Sequence, residues 1–219
     1  MLPGAPPRYH EWLDFIFGRF ERDAIDPWAM DWEFEASPSE LADLFIYTME
    51  NCGRDLAQFS DGQVATGLNA LFFNTLSNIS HKITGAGLSE EQRIQILTSL
   101  KNLYSDCFAR RSPAVLGHCS ETNANPLCFV TYMLWDVNPY DNMALKSDDR
   151  LAALLGVFRS ALRLPNEACI ESALHGLGHL GGKGRKKAIS LIDEWLDELP
   201  QVRPALLDYA RAARTGMIL

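Results

Sequence analysis

"SEEQRIQILTSLKNLYSDCF", Ser89 to Phe108, decides the fold class of this chain. It opens on a serine with a glutamine three residues later, a pair whose side chains satisfy the free backbone N–H groups at a helix start. Behind it Ile94, Leu97, Leu100, Tyr104, Cys107 and Phe108 recur at helical spacing, so one face of a helix is apolar. No strand period fits that run.

The same start signal occurs twice upstream. "SDGQ" sets Ser60 and Gln63 ahead of Val64, Leu68, Leu71, Phe72 and Leu76. "SPSE" sets Ser37 and Glu40 ahead of Leu41, Leu44, Phe45, Met49, Cys52 and Leu56, with Pro38 at the first helical position. An earlier stripe runs through Tyr9, Trp12, Leu13, Ile16, Phe17 and Phe20. After Ser147 the pattern returns: Leu151 to Leu162, a helix from Pro165 to Gly181-Gly182, then Ala188 to Leu199, then a short run around Leu206 and Tyr209. Connections of a few residues there force neighbouring helices to lie antiparallel. Only "ANPLCFVTYMLWDVNP", Ala124 to Pro139, is ambiguous. It is apolar on all sides and reads as a buried helix, since the chain offers no strands for it to pair with. The expectation is one all-α domain over residues 1–219, with eight or nine helices in antiparallel hairpins.

"IESALHGLGHLGG" (Ile170 to Gly182) followed by "AISLIDEWLDEL" (Ala188 to Leu199) resembles a HEAT-like repeat. The resemblance covers residues 148–214, each hairpin falling within the length range of α-solenoid repeats. It implies a superhelical, α-solenoid-like scaffold whose surface binds another macromolecule, and it brings no catalytic residues with it.

Composition narrows the function. The longest apolar run, Leu127 to Trp135, is too short to span a bilayer. The first residues lack the basic-then-apolar order of a secretory signal, and five widely spaced cysteines show no CxxC pair. The expected compartment is the cytoplasm, with no membrane partner. Residues 1–60 carry twelve Asp and Glu against four Arg, while residues 61–219 carry sixteen acidic and sixteen basic side chains. The whole net charge of −8 thus belongs to the first quarter. Such a surface disfavours nucleic acid and suits a basic protein partner.

The chemically richest stretch is "ACIESALHGLGHLGGKGRKK", Ala168 to Lys187. It is no phosphate loop, because the residue five before Gly182 is Leu177 and Gly184 stands where Ser or Thr should follow Lys183. Glu171, His175 and His179 lie on one helix face, and two histidines four apart can share an ion. All three together span about 11–12 Å of helix, too far to converge on one metal. Two of them could do so with help from outside, Cys169 or His118 being the candidates considered. The competing reading is close packing. It has Gly176 and Gly178 bring a second backbone near, and the imidazoles hydrogen-bond across to a neighbouring helix. Packing is the favoured reading, and no cofactor is expected. Cys107, His118, Cys119 and Cys128 match no common zinc spacing. A Cys–His nucleophilic pair stays open there, because proximity in space is not visible in sequence, but no nucleophile motif in the chain supports it.

"DAIDPWAMDWEFEA", Asp23 to Ala36, is the other candidate. Asp26, Trp28, Asp31, Trp32, Glu33 and Glu35 combine acids and aromatics without helical period, as interface anchors do. The alternative is that the tryptophans tuck back over the apolar end of the bundle while the acids face water. Together these features favour a non-enzymatic protein-binding scaffold, such as a bacterial immunity protein that covers a basic toxin. A metal-dependent enzyme built on His175 and His179, with Glu171 as an optional third ligand, is the rival reading.

Overall fold

The computed structural model describes residues 4–19, 33–73, 76–121, 123–136, 138–198 and 201–218. It is all-α, with no strand among these residues. The helices are α1 (Tyr9–Phe17), α2 (Pro38–Glu50), α3 (Cys52–Asp55), α4 (Asp61–Phe72), α5 (Ile79–Thr84), α6 (Glu90–Asn102), α7 (Ala109–Arg111), α8 (Leu127–Met133), α9 (Tyr140–Ala144), α10 (Asp148–Ala161), α11 (Glu167–His179), α12 (Gly184–Asp197) and α13 (Pro204–Thr215). None of the described helices is long and apolar enough to cross a membrane.

The helical segments are shorter and more numerous than the eight or nine expected, for local reasons. The run from Leu41 to Leu56 breaks at Asn51, whose side-chain amide donates to the Tyr47 carbonyl at 2.9 Å. Leu103–Phe108 widens into a π-turn beyond α6. The ambiguous stretch forms α8, entered through Asn125, whose side-chain oxygen accepts the Leu127 N–H at 2.9 Å.

Two of the three capping boxes form completely, Ser60 with Gln63 and Ser89 with Gln92. At the third, Ser37 accepts the Glu40 N–H, but the Glu40 carboxylate turns to Arg8, 3.3 Å away. An ion pair there replaces the second half of the box.

One continuous cluster of buried side chains runs from Tyr9 to Ala213. Within it α6 lies between α2 and α10, and α11 is surrounded by α8, α10, α12 and α13. That surrounded position explains why α11 is buried almost throughout, Glu171 and His175 included. Its glycines are packing devices. A Cβ on Gly176 would meet the Phe158 ring at 2.6 Å and Trp135 at 2.8 Å, and one on Gly178 would meet Ile218 at 2.8 Å. The basic run after α11 has a structural use too. Arg185 donates to the carbonyls of Gly178, Ala213 and Arg214 at the C-terminal ends of α11 and α13, where the helix dipole favours a cation.

Candidate metal centre

The α11 start is held by Asn166, whose side chain accepts the N–H groups of Ala168 and Cys169 and donates to the Ser112 carbonyl at 2.8 Å. From that anchored end, Glu171, His175 and His179 rise along one face at successive turns. The structure separates them into two neighbouring systems.

In the first, His175 and His179 turn their Nε2 atoms together, 2.9 Å apart. Asp136 Oδ1 completes a triangle, 3.7 Å from His175 Nε2 and 3.4 Å from His179 Nε2. Two donor atoms each about 2.0–2.1 Å from a common ion sit roughly 2.9 Å apart at right angles and 3.4 Å apart at the tetrahedral angle. The triangle is therefore of coordinating size. Among the described residues it is the one group of three His, Cys, Asp or Glu side chains whose ligand atoms all lie within 4.8 Å of each other.

Asp136 reaches the site because the turn after α8 is tied to α11 through the core. The Trp135 indole N–H donates to the Tyr104 hydroxyl at 2.6 Å, and that hydroxyl is 2.8 Å from Ser172 Oγ on α11. The π-turn that carries Tyr104 is thus part of the scaffold of the site. No signal in the sequence pointed to Asp136, a lone carboxylate following an apolar run.

His175 is fully buried, and burial, reinforced by His179 and opposed by Asp136, pushes its imidazole down to about 4. It is neutral at pH 7, the form that binds a metal. Its Nδ1 lies 2.7 Å from the Tyr209 hydroxyl of α13, and Tyr209 hydrogen-bonds in turn with Tyr132. With an ion on Nε2, the Nδ1–H donates to Tyr209, the outer contact that orients a ligating histidine. His179 and Asp136 remain about one-third exposed, at 32% and 33%, so an ion held there keeps solvent-facing positions.

In the second system Glu171, 1% exposed, accepts the backbone N–H groups of Gly117 at 2.8 Å and His118 at 3.0 Å and pairs with His118 Nδ1. It is not part of the metal triangle, in line with its distance along the helix. His118 stacks on Tyr209 with ring centroids 4.3 Å apart, and its Nε2 is 3.3 Å from Cys119 Sγ. The outside ligand expected from Cys169 or His118 is supplied by neither. Cys169 is buried in the core, His118 is engaged with Glu171, and Asp136 takes the place. Nor does the expected choice between packing and a binding role survive as a choice. The glycines pack and His175 bonds across to α13, while the same helix face gathers three donor atoms.

Of the acidic aromatic segment, Asp26, Trp28, Asp31 and Trp32 lie outside the described residues. Glu33 is exposed and pairs with Lys82 at 2.7 Å. Glu35 is exposed, and its carbonyl accepts from Arg8 at 2.9 Å. Phe34, one of the aromatics of that segment, is buried against Trp12 and Phe15 under the Arg8 guanidinium. No protein family, no curated protein and no solved structure matches the chain.

Proposed function

We propose that this chain binds one divalent transition-metal ion through Asp136, His175 and His179 and uses it as a Lewis acid. The reading is carried by the convergence of one carboxylate oxygen and two imidazole nitrogens at 2.9–3.7 Å. Two histidines and a carboxylate on one side of an ion leave the opposite positions for water or substrate, the arrangement of catalytic rather than closed structural sites. An ion so placed polarises a bound oxygen or lowers the pKa of bound water. Titration of chelator-treated protein with Co²⁺ or Zn²⁺ tests the reading. One equivalent binds, and His179→Ala and Asp136→Ala abolish that binding while the helix content is retained. Absence of stoichiometric binding at pH 7.5, or its persistence in both variants, overturns it.

A second reading keeps the protein-binding scaffold, of the immunity type, with a basic partner. It is favoured by the charge of −8 concentrated in residues 1–60 and by the exposure of Glu33 and Glu35. The short links that pair α10 with α11 and α12 with α13 support a HEAT-like arrangement of the last third. Electrostatic steering would then dominate association. A basic nuclease domain captured by this chain associates more slowly with Glu33→Ala/Glu35→Ala protein and loses salt dependence; an unchanged rate removes that surface.

A further inference from the structure

From the second histidine system we infer a thiol nucleophile, Cys119, with His118 as its base and Glu171 as the positioning residue, acting in acyl transfer from esters with an apolar acyl chain. Three observations carry the inference.

The first is the order of contacts. Glu171 accepts two backbone N–H groups and faces His118 Nδ1. A buried carboxylate held that way draws the ring proton to Nδ1 and leaves the Nε2 lone pair facing outward. That lone pair meets Cys119 Sγ at 3.3 Å. Nucleophile, base and base-orienting group in sequence are the diagnostic arrangement of nucleophilic catalysis, recognised by geometry rather than by position in the chain. Tyr209, stacked on the His118 ring with centroids 4.3 Å apart, fixes its tilt.

The second is access. Cys119 is exposed, whereas Cys52, Cys107 and Cys169 are buried and their thiols are pushed up by burial. Cys119 closes the 3₁₀ turn Gly117–Cys119. A Cβ on Gly117 would come within 2.5 Å of the Tyr132 ring, so only glycine lets this turn lie against α8.

The third is a place for substrate. A groove of about 410 Å³ lies beside the Gly117–Cys119 turn, with Gly117 and Glu121 on its wall, while Cys119 and His118 stand outside its lining. Val115, Pro126, Phe129 and Met133 also line it. Phe129 is 64% exposed, one of the two large apolar side chains left in solvent among the described residues. Those side chains suit an acyl chain and offer no cation to a charged one.

The chemistry closes without a metal or an oxidant. The Cys119 S–H proton passes to His118 Nε2 as sulfur forms a bond to the ester carbonyl carbon. The C–O bond breaks and the alcohol leaves with the proton from His118, so that an acyl thioester remains on Cys119. Water then gives a proton to His118 and its oxygen to the acyl carbon. The S–C bond breaks, the carboxylic acid departs, and the proton returns to sulfur.

The site shares no ligand atom with the metal triangle, so chelator-treated protein tests it independently of the proposed metal function. With p-nitrophenyl butyrate and p-nitrophenyl acetate as probes, one equivalent of p-nitrophenolate is released in a burst, and peptide mass spectrometry finds the acyl group on Cys119. Butyrate acylates faster than acetate. Cys119→Ser and His118→Asn reduce acylation at least 100-fold. Glu171→Gln lowers the acylation rate constant about tenfold or more while leaving the apparent affinity for the ester unchanged, a split that simple unfolding would not produce. The assignment is overturned by acylation elsewhere, by none at all, by equal rates for the two esters, or by a wild-type rate in folded His118→Asn protein.

Discussion

The Tyr209 hydroxyl lies 2.7 Å from His175 Nδ1, and this contact leaves the other ring nitrogen facing Asp136 and His179. Tyr209→Phe removes the contact and keeps the ring. Affinity for Co²⁺ or Zn²⁺ is expected to fall about 10-fold or more, as for other outer contacts of metal-binding histidines. Competition with a chromophoric chelator measures it. Unchanged affinity would show that the imidazole is oriented by packing alone.

The buried, neutral His175 makes the metal-free protein acid-sensitive. Its imidazole titrates near 4 in the folded chain against about 6.5 when exposed. Between those values the unfolded state binds the extra proton, so stability is fully present above pH 6.5 and is lost as pH falls toward 4. The loss is about 3 kcal/mol, at 1.36 kcal/mol per pKa unit. Urea denaturation at pH 7 and pH 4.5 reads it, and His175→Asn flattens the difference.

Gly176→Ala sets two effects against each other. Alanine favours the helix by about 1 kcal/mol, but its Cβ would sit 2.6 Å from the Phe158 ring and 2.8 Å from Trp135. Overpacking of this kind costs about 1–3 kcal/mol or more. Because two aromatic rings must shift together, the clash prevails. The melting temperature is expected to drop by several degrees, whereas Gly156→Ala, with open space around its Cβ, raises it slightly.

The two complete capping boxes are unequal. Gln63 serves its own helix start, while Gln92 also donates to the Ser39 hydroxyl at 2.8 Å and to Asp43 at 2.9 Å on α2. Gln92→Ala is therefore expected to destabilise by about 1 kcal/mol more than Gln63→Ala, the usual net value of such hydrogen bonds. Chemical denaturation of the two variants side by side checks the order.

Most of the secondary structure was legible because it rests on short-range physics. Ser60 with Gln63 and Ser89 with Gln92 are three residues apart, and the apolar stripes of α6, α10 and α12 repeat within a few turns. The breaks were harder to see. Asn51 ends α2 through a bond to its own helix, and the π-turn after α6 goes with the placing of Tyr104 against Trp135 and Ser172. The candidate site was half legible: His175 and His179 were visible as a pair four apart, whereas Glu171, carried with them in the metal alternative, binds Gly117 and His118 instead.

What the amino-acid sequence determined by itself is the helical class, the acidic first quarter and the pairing of two imidazoles on one face, all consequences of spacing and composition. Tertiary structure alone decided what those imidazoles meet. Asp136 is 39 positions before His175, and Tyr209 is 34 after it. Such partners are brought within 4 Å by the packing of α8 and α13 around α11. The same packing sent Glu171 to Gly117 and His118, because a buried carboxylate takes whichever N–H groups the surrounding segments place against it.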